Sequence, residues 1–130
     1  MKVLALDYGS ARTGVAVSDP TGTLARPLGI VERAGSESGL AELARLAREA
    51  EVERVVVGLP LTLRGTRGEQ AEETERFVET LRGVLAVPVE LFDERFTTDL
   101  AQQTAGAAPV DALAAAHLLS TYLEWCAARS

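Results

Sequence analysis

The sequence predicts an α/β fold in which a mixed β-sheet carries helices on both faces. Two observations predict it. The chain begins with short apolar, β-branched runs separated by turn residues, a pattern typical of antiparallel strands. Continuous apolar runs then alternate with segments of helical periodicity, which is typical of strands joined through helices. We expect those crossover connections to be right-handed.

The first three predicted strands form the antiparallel part. Residues 2–6 are a short apolar run, and residues 13–18 alternate before the turn pair Asp19-Pro20. Because only a short loop separates these runs, we expect them to pair as a hairpin. Residues 26–31 supply the third strand.

Helices and strands alternate in the middle of the chain. Helical periodicity marks residues 37–51, with Ser36 as the N-cap, and again residues 69–82. Between them, residues 54–60 are a nearly continuous apolar run, which suits a strand covered on both faces. Residues 87–92 predict the last strand.

Two helices are predicted after that strand. Thr97 or Thr98 can cap a short helix. Pro109 then precedes a final helix with one apolar stripe, which includes Ala115, Leu118, Leu119, Tyr122 and Cys126.

Length and composition predict one folded domain spanning residues 1–130. A chain of 130 residues can bury one sizeable core, and its 47% hydrophobic and 25% charged residues are typical of a globular protein. We find no signal-peptide pattern and no apolar run near the roughly 20 residues that cross a bilayer, so we expect a cytoplasmic protein without a membrane partner. Cys126 and His117 are the only residues of their types, which excludes a Cys/His zinc site.

Net charge limits how the chain could bind nucleic acid. Its formal value is −6, whereas broad electrostatic binding uses a basic surface to displace counterions from phosphates. Any nucleic-acid partner must therefore be bound locally.

Acidic residues follow the first and last predicted strands. Asp7 ends the first strand, and Asp93 and Glu94 end the last. Ligands in open α/β sheets bind outside the carboxyl ends of strands. Asp111 lies in the first turn of the final helix, where the helix dipole favours negative charge and where the helix could meet the same edge. We expect these acids to be neighbours.

Converging carboxylates raise one another's pKa unless a cation neutralises them. Mg²⁺ prefers carboxylate oxygens, waters and phosphate, and two such ions about 3.5–4 Å apart can activate water and stabilise a leaving oxygen. The acids therefore predict phosphodiester chemistry with a divalent metal. The alternative is structural, with Asp7 as a turn residue and Asp111 as an ordinary helix-start acid.

The segment DYGSARTG, residues 7–14, could be a tight turn or a phosphate cradle. Gly9 and Gly14 would let backbone approach a phosphate or adopt a positive φ. Arginine matches phosphate through a planar fork, although an exposed arginine is more often a solvated charge. The candidate phosphate contacts are Arg12, Arg64, Arg67 and Arg95.

Four motifs in order resemble the YqgF family, also called RuvX, of the ribonuclease H-like superfamily, over essentially the whole chain. They are ALDYGSARTGVAVSD, VVVGLPLTLRGTRG, DERFTT and VDALAAAHLLSTYLE. The first alone would not suffice, because an Asp-x-Gly loop also begins actin-like and sugar-kinase ATPases. The resemblance implies a five-stranded mixed sheet with one antiparallel strand. It also implies a catalytic and metal-binding triad of Asp7, Glu94 and Asp111, with Asp93 orienting its neighbours.

The same resemblance implies a nuclease that uses Mg²⁺ or Mn²⁺, as two ions, to mature the 5′ end of pre-16S rRNA. One alternative is a Holliday-junction resolvase acting on branched DNA, for which a homodimer would provide the grip that this small acidic chain lacks. Another is a non-catalytic nucleic-acid-binding module. The segment between Thr98 and Asp111 lacks the lysine-rich stretch of many members, which bears on substrate grip more than on metal binding.

Overall fold

A computed structural model describes residues 1–60, 68–93 and 110–129. These ranges contain five strands and three helices. In chain order they are β1 (Val3–Asp7), β2 (Arg12–Ser18), β3 (Ala25–Glu32), α1 (Glu37–Glu49), β4 (Arg54–Leu59), α2 (Glu69–Arg82), β5 (Val89–Asp93) and α3 (Val110–Arg129).

The strands form one mixed sheet in the order β3-β2-β1-β4-β5. Strand β2 is antiparallel to both of its neighbours, whereas β1, β4 and β5 run parallel. The predicted five-stranded sheet with one antiparallel strand is confirmed. The carboxyl ends of β1, β4 and β5 therefore meet at one edge, which we call the C-terminal edge.

Helices cover both faces of the sheet, as predicted. Helices α1 and α2 pack on the face that buries Leu4 and Leu6 of β1. Helix α3 packs on the face that buries Val3 and Ala5. Because successive side chains of a strand point to opposite faces, odd-numbered residues of β1 face α3 and even-numbered residues face α1 and α2.

Element ends differ from the predicted ones where backbone chemistry intervenes. Helix α1 ends at Glu49 and not at residue 51, because Glu51 has a φ of 56°, which no right-handed helix accommodates. Strand β5 begins at Val89 and not at residue 87, because Pro88 has no N–H to give to the ladder. Ser36 is the predicted N-cap: its hydroxyl accepts a hydrogen bond from the Gly39 N–H at 3.1 Å.

The C-terminal half of α3 packs through aromatic residues. Tyr122 is fully buried, and its hydroxyl accepts a hydrogen bond from Arg54 Nη1 at 2.7 Å. Phe92 of β5 meets Tyr122 edge-on, with 5.4 Å between ring centroids, and it also contacts Trp125. Cys126 is partly buried against this cluster. These contacts fix α3 across the sheet.

The short helix predicted after Thr97 or Thr98 lies outside the described residues. Across the described ranges, no helix is long and apolar enough to cross a membrane.

Candidate active site at the C-terminal edge

Asp7 is the last residue of β1 and is half-buried at the C-terminal edge. Its side chain points to the same face as those of Val3 and Ala5, because residues two apart in a strand share a face, and this is the α3 face of the sheet. In the neighbouring strand it pairs with Gly14. The sequence-predicted position of Asp7 at a strand end is confirmed.

Asp111 reaches the same edge because α3 begins there. The backbone carbonyl of Asp111 lies against Gly14: a Cβ built on Gly14 would be 1.8 Å from that oxygen. Gly14 is the register partner of Asp7, so the first turn of α3 meets the end of β1. The structure thus brings together the backbones of two acids that are 104 residues apart in the sequence.

Arg12 lies beside Asp111. Its Nε atom is 3.5 Å from Asp111 Oδ2, and the two side chains are 63% and 36% exposed. An ion pair this exposed contributes only about 0–1 kcal/mol, so little energy holds Arg12 to one anion. The predicted phosphate contact is therefore positioned next to a predicted metal ligand.

Gly9 and Gly14 both serve close backbone approach. Neither has a positive φ, so that part of the expectation is wrong. A Cβ on Gly9 would be 2.5 Å from the Arg12 carbonyl oxygen, in a loop that buried Thr13 closes. The Thr13 hydroxyl donates to the Gly9 carbonyl at 3.3 Å, and the Gly9 N–H donates to the hydroxyl at 3.4 Å. The segment is thus a tight turn, and Gly14 makes room for a helix.

Asp93 ends β5 beside Leu59 of β4. Phe92 packs in the α3 layer and Leu91 in the opposite layer, so alternation places Asp93 on the α1 and α2 face. Asp93 and Asp7 therefore lie on opposite faces of the sheet.

The remaining predicted site residues lie outside the described ranges. They are Glu94, Arg64, Arg67 and Arg95. Among the described residues, no group of three or more acidic, histidine or cysteine side chains could hold a metal ion. Asp7 and Asp111 supply hard oxygen donors at one edge, and this donor type fits Mg²⁺ or Mn²⁺ rather than a soft metal.

The sequence did not predict a cavity that lies beside Asp7 on the α2 side of the sheet. Its volume is about 200 Å³, and it lies between the loop after β1 and the first turns of α2. Asp7, Tyr8, Gly9, Ser10, Pro60, Gln70, Glu73 and Thr74 line it. The position of Tyr8 directly after Asp7 was a usable signal, because alternation turns the two side chains to opposite faces. The rotation of α2 about its own axis, which turns Glu73 toward the cavity, could not be predicted from the periodicity of the helix alone.

Tyr8 is held firmly at the wall of this cavity. Its ring stacks on Phe77, with 4.2 Å between centroids and 18° between planes. Its hydroxyl donates a hydrogen bond to Glu73 Oε1 at 3.4 Å. Burial, followed by the charge of Glu73, raises the pKa of Tyr8 above its ordinary value of 10.0, so the hydroxyl remains a donor at neutral pH.

Comparison with solved structures shows the same fold. RuvC from T. thermophilus, in complex with a Holliday junction substrate, superposes with a TM-score of 0.60 at 17% identity, covering 97% of this chain and 96% of that one. Fowlpox virus resolvase, in a complex with Holliday junction DNA, gives 0.58 at 14% identity, with 97% and 99% covered. The predicted ribonuclease H-like fold is confirmed.

Sequence comparison finds closer relatives. A protein of Chloroflexus aurantiacus named "Putative pre-16S rRNA nuclease" is 45% identical over 94% of this chain and 86% of its own length. A protein of the same name from Syntrophomonas wolfei is 37% identical over 95% and 94%. The model of the RuvX family, described as Holliday junction resolvase, matches residues 1–125. The chain therefore belongs to the RuvX family.

Proposed function

We propose that this protein is a metal-dependent nuclease that hydrolyses phosphodiester bonds during maturation of the 5′ end of pre-16S rRNA. Relatives at 45% and 37% identity carry the name "Putative pre-16S rRNA nuclease". The observation that carries the proposal is the packing of Asp111 on Gly14, directly opposite Asp7. This packing gathers acids from a strand and a distant helix, as a metal site in a nuclease requires.

Asp7 and Asp111, with Glu94 as the third ligand, would hold two Mg²⁺ or Mn²⁺ ions. When bound, such ions supply activation of water and neutralisation of charge at the phosphate. The protein's part is to fix the carboxylates. Register pairing fixes the backbone of Asp7, and the close contact with Gly14 fixes that of Asp111. The backbones that carry both acids are thus in place before substrate arrives, which favours catalytic preorganisation.

Arg12 would bind the substrate phosphate. It lies 3.5 Å from Asp111, and a weak, exposed ion pair lets the guanidinium turn to a phosphate oxygen with which it can form two hydrogen bonds. Gly9 shapes the loop that carries Arg12. Arg64, Arg67 and Arg95 are the further phosphate contacts in the proposal. With a net charge of −6, the grip on RNA is local.

We place the whole activity in a single domain, residues 1–130, of a cytoplasmic protein. A second candidate is resolution of branched DNA by the same acids, which the description of the family as Holliday junction resolvase favours. A four-way junction needs two cuts, so this candidate requires a homodimer. A non-catalytic nucleic-acid-binding module is disfavoured, because acids clustered at the binding edge would repel phosphate.

The test compares two labelled substrates in Mg²⁺ or Mn²⁺: an RNA fragment that spans the 5′ end of pre-16S rRNA, and a four-way DNA junction. We expect the parent to cut the RNA and Asp7→Asn to lose at least about a hundredfold in rate, since the variant removes a charged ligand. Asp19→Asn is the matched control, because Asp19 follows β2 and lies at the end of the sheet opposite the C-terminal edge.

Two results would count against this assignment. Equal rates for Asp7→Asn and the parent would remove Asp7 from the site. Selective cutting of the junction by the parent would replace the RNA substrate with branched DNA.

A further inference from the structure

The cavity beside Asp7 has an unusual lining for a pocket next to a phosphate-cleaving centre. Its lining includes the acid Glu73 and the end of β1 at Asp7, and none of the described lining residues carries a positive charge. A phosphate group would be repelled there. Hydroxyl groups would be favoured, because a carboxylate accepts strong, short hydrogen bonds from them.

Glu73 is the acceptor that the cavity offers away from the metal site. It is half-buried on α2, and its Oε1 accepts the hydroxyl of Tyr8 at 3.4 Å. An ionised carboxylate has about four acceptor positions, so this one long hydrogen bond does not exhaust its capacity. Glu73 can accept further donors from a molecule in the cavity.

The size and rigidity of the cavity suit one sugar of a nucleic-acid strand. Its volume of about 200 Å³ lies below the range of roughly 300–1,000 Å³ that is common for drug-sized ligands. The stack of Tyr8 on Phe77 holds one wall in place, and the hydroxyl of Tyr8 lies 3.4 Å from Glu73 Oε1. A preorganised wall loses little free energy to ordering when a ligand binds.

We propose that this cavity is a ribose subsite, in which the Glu73 carboxylate accepts the 2′-hydroxyl of a nucleotide next to the bond that is cut. Asp7 lines the same cavity from the strand end, so a sugar bound there adjoins the phosphate at the metal site. The 2′-hydroxyl is the group by which a protein distinguishes RNA from DNA. This inference rests on the proposed function and adds to it a specificity-determining residue, with Tyr8 as its positioning residue.

The experiment pairs protein variants with singly modified substrates. Each nucleotide around the cleaved bond of the RNA fragment is replaced in turn by its 2′-deoxy form. In the parent, we expect one position at which the replacement lowers kcat/KM about tenfold or more, as expected for a hydrogen bond to a charged group. In Glu73→Met, which keeps the length of the side chain and the helix propensity, that penalty should disappear.

Controls separate recognition from folding. Glu72→Gln changes an exposed acid one residue away on α2 and should keep the full penalty. Tyr8→Phe keeps the stack on Phe77 and should reduce the penalty, because the carboxylate loses its orienting donor. If circular dichroism shows that Glu73→Met is unfolded, Glu73→Gln replaces it, and a smaller penalty than in the parent is then expected.

Two outcomes would overturn the subsite: an unchanged penalty in the folded Glu73 variant, or no penalty at any position in a parent that cuts RNA. Failure of the proposed function is a different result, namely a parent that cuts no RNA at all. In that case the subsite is tested by binding, and fluorescence anisotropy measures the affinity for the same oligonucleotides. The subsite is supported if the parent binds the unmodified RNA more tightly than one of the 2′-deoxy forms and Glu73→Met binds both equally. Equal binding of all the oligonucleotides by the parent overturns it.

Discussion

The ion pair between Arg12 and Asp111 links the two expected halves of the site, metal binding and substrate binding. Its members are exposed, and the separation of 3.5 Å is longer than that of a good charge-assisted hydrogen bond. Both features make the pair easy to break. A bound cation would compete with Arg12 for Asp111, whereas a bound phosphate would attract Arg12.

Arg12→Gln should therefore affect metal and substrate in opposite directions. We expect metal affinity to stay constant or to rise by up to about fivefold, because an exposed ion pair worth at most about 1 kcal/mol no longer competes. We expect kcat/KM on RNA to fall about 10- to 100-fold, as for the loss of hydrogen bonds to a charged group. Calorimetry with Mn²⁺ and cleavage rates measure the two effects.

Arg26→Gln is the control for this prediction, because Arg26 is an exposed arginine on edge strand β3. Parallel losses of metal affinity and cleavage in Arg12→Gln would show that Arg12 supports the metal site instead of the substrate.

Among single residues, the sequence predicted the positions of Asp7 and Asp111 but not the contact of Gly14 with the start of α3. Acids at strand ends and in first helical turns follow from local pattern. The contact between Gly14 and the Asp111 carbonyl joins residues 97 positions apart, so only the packed fold reveals it. Tyr8 and Glu73 were missed for the same reason, since their meeting depends on how α2 sits on the sheet.

At the scale of the elements, the approach of α3 to β2 determines where Asp111 lies. Gly14→Ala would place a Cβ 1.8 Å from the Asp111 carbonyl oxygen, a distance that no packing allows, so the first turn of α3 must move. We expect the free energy of unfolding to fall by about 1–3 kcal/mol, as for other overpacking changes, and cleavage to fall further than stability alone explains. Urea denaturation and cleavage rates measure both.

Gly83→Ala is the matched control for that change. A Cβ on Gly83 would be 3.4 Å from the nearest atom outside its immediate neighbours, the Thr80 carbonyl oxygen, and its φ of −76° suits alanine. Full activity and parental stability in Gly14→Ala would mean that α3 does not depend on this contact for its position.

Elements with strong periodicity were predicted best. The bounds of α2 agree with the prediction of residues 69–82. The errors occurred at Glu51 and Pro88, where one residue's backbone overrides the pattern of its segment. The mixed sheet followed from a hairpin start and later buried runs, because short loops force antiparallel pairing whereas helical crossovers permit parallel pairing.

At the scale of the whole molecule, the acidic charge predicts how RNA binding responds to salt. With a net charge of −6, we expect few phosphate contacts, and each contact on a single strand contributes a slope of about −0.7 to the plot of log affinity against log salt. With Arg12, Arg64, Arg67 and Arg95 as the contacts, we expect a slope between about −0.7 and −3. Anisotropy titrations across salt concentrations measure it.

A much steeper slope would contradict binding through a few local contacts, because it would require many more phosphate contacts than the proposed arginines supply. The parent and Arg12→Gln should differ by about one contact, a change of roughly 0.7 in the slope. Arg26→Gln again serves as the control and should leave the slope unchanged.

We propose that Asp7 and Asp111 share bound metal at the C-terminal edge of the sheet. A crystal structure of the protein with Mn²⁺, with the ion identified by its anomalous scattering, tests this proposal. We expect manganese at the C-terminal edge, with carboxylate oxygens of both Asp7 and Asp111 in its coordination shells at about 2 Å. Manganese bound elsewhere, with these two carboxylates turned apart, would contradict the claim.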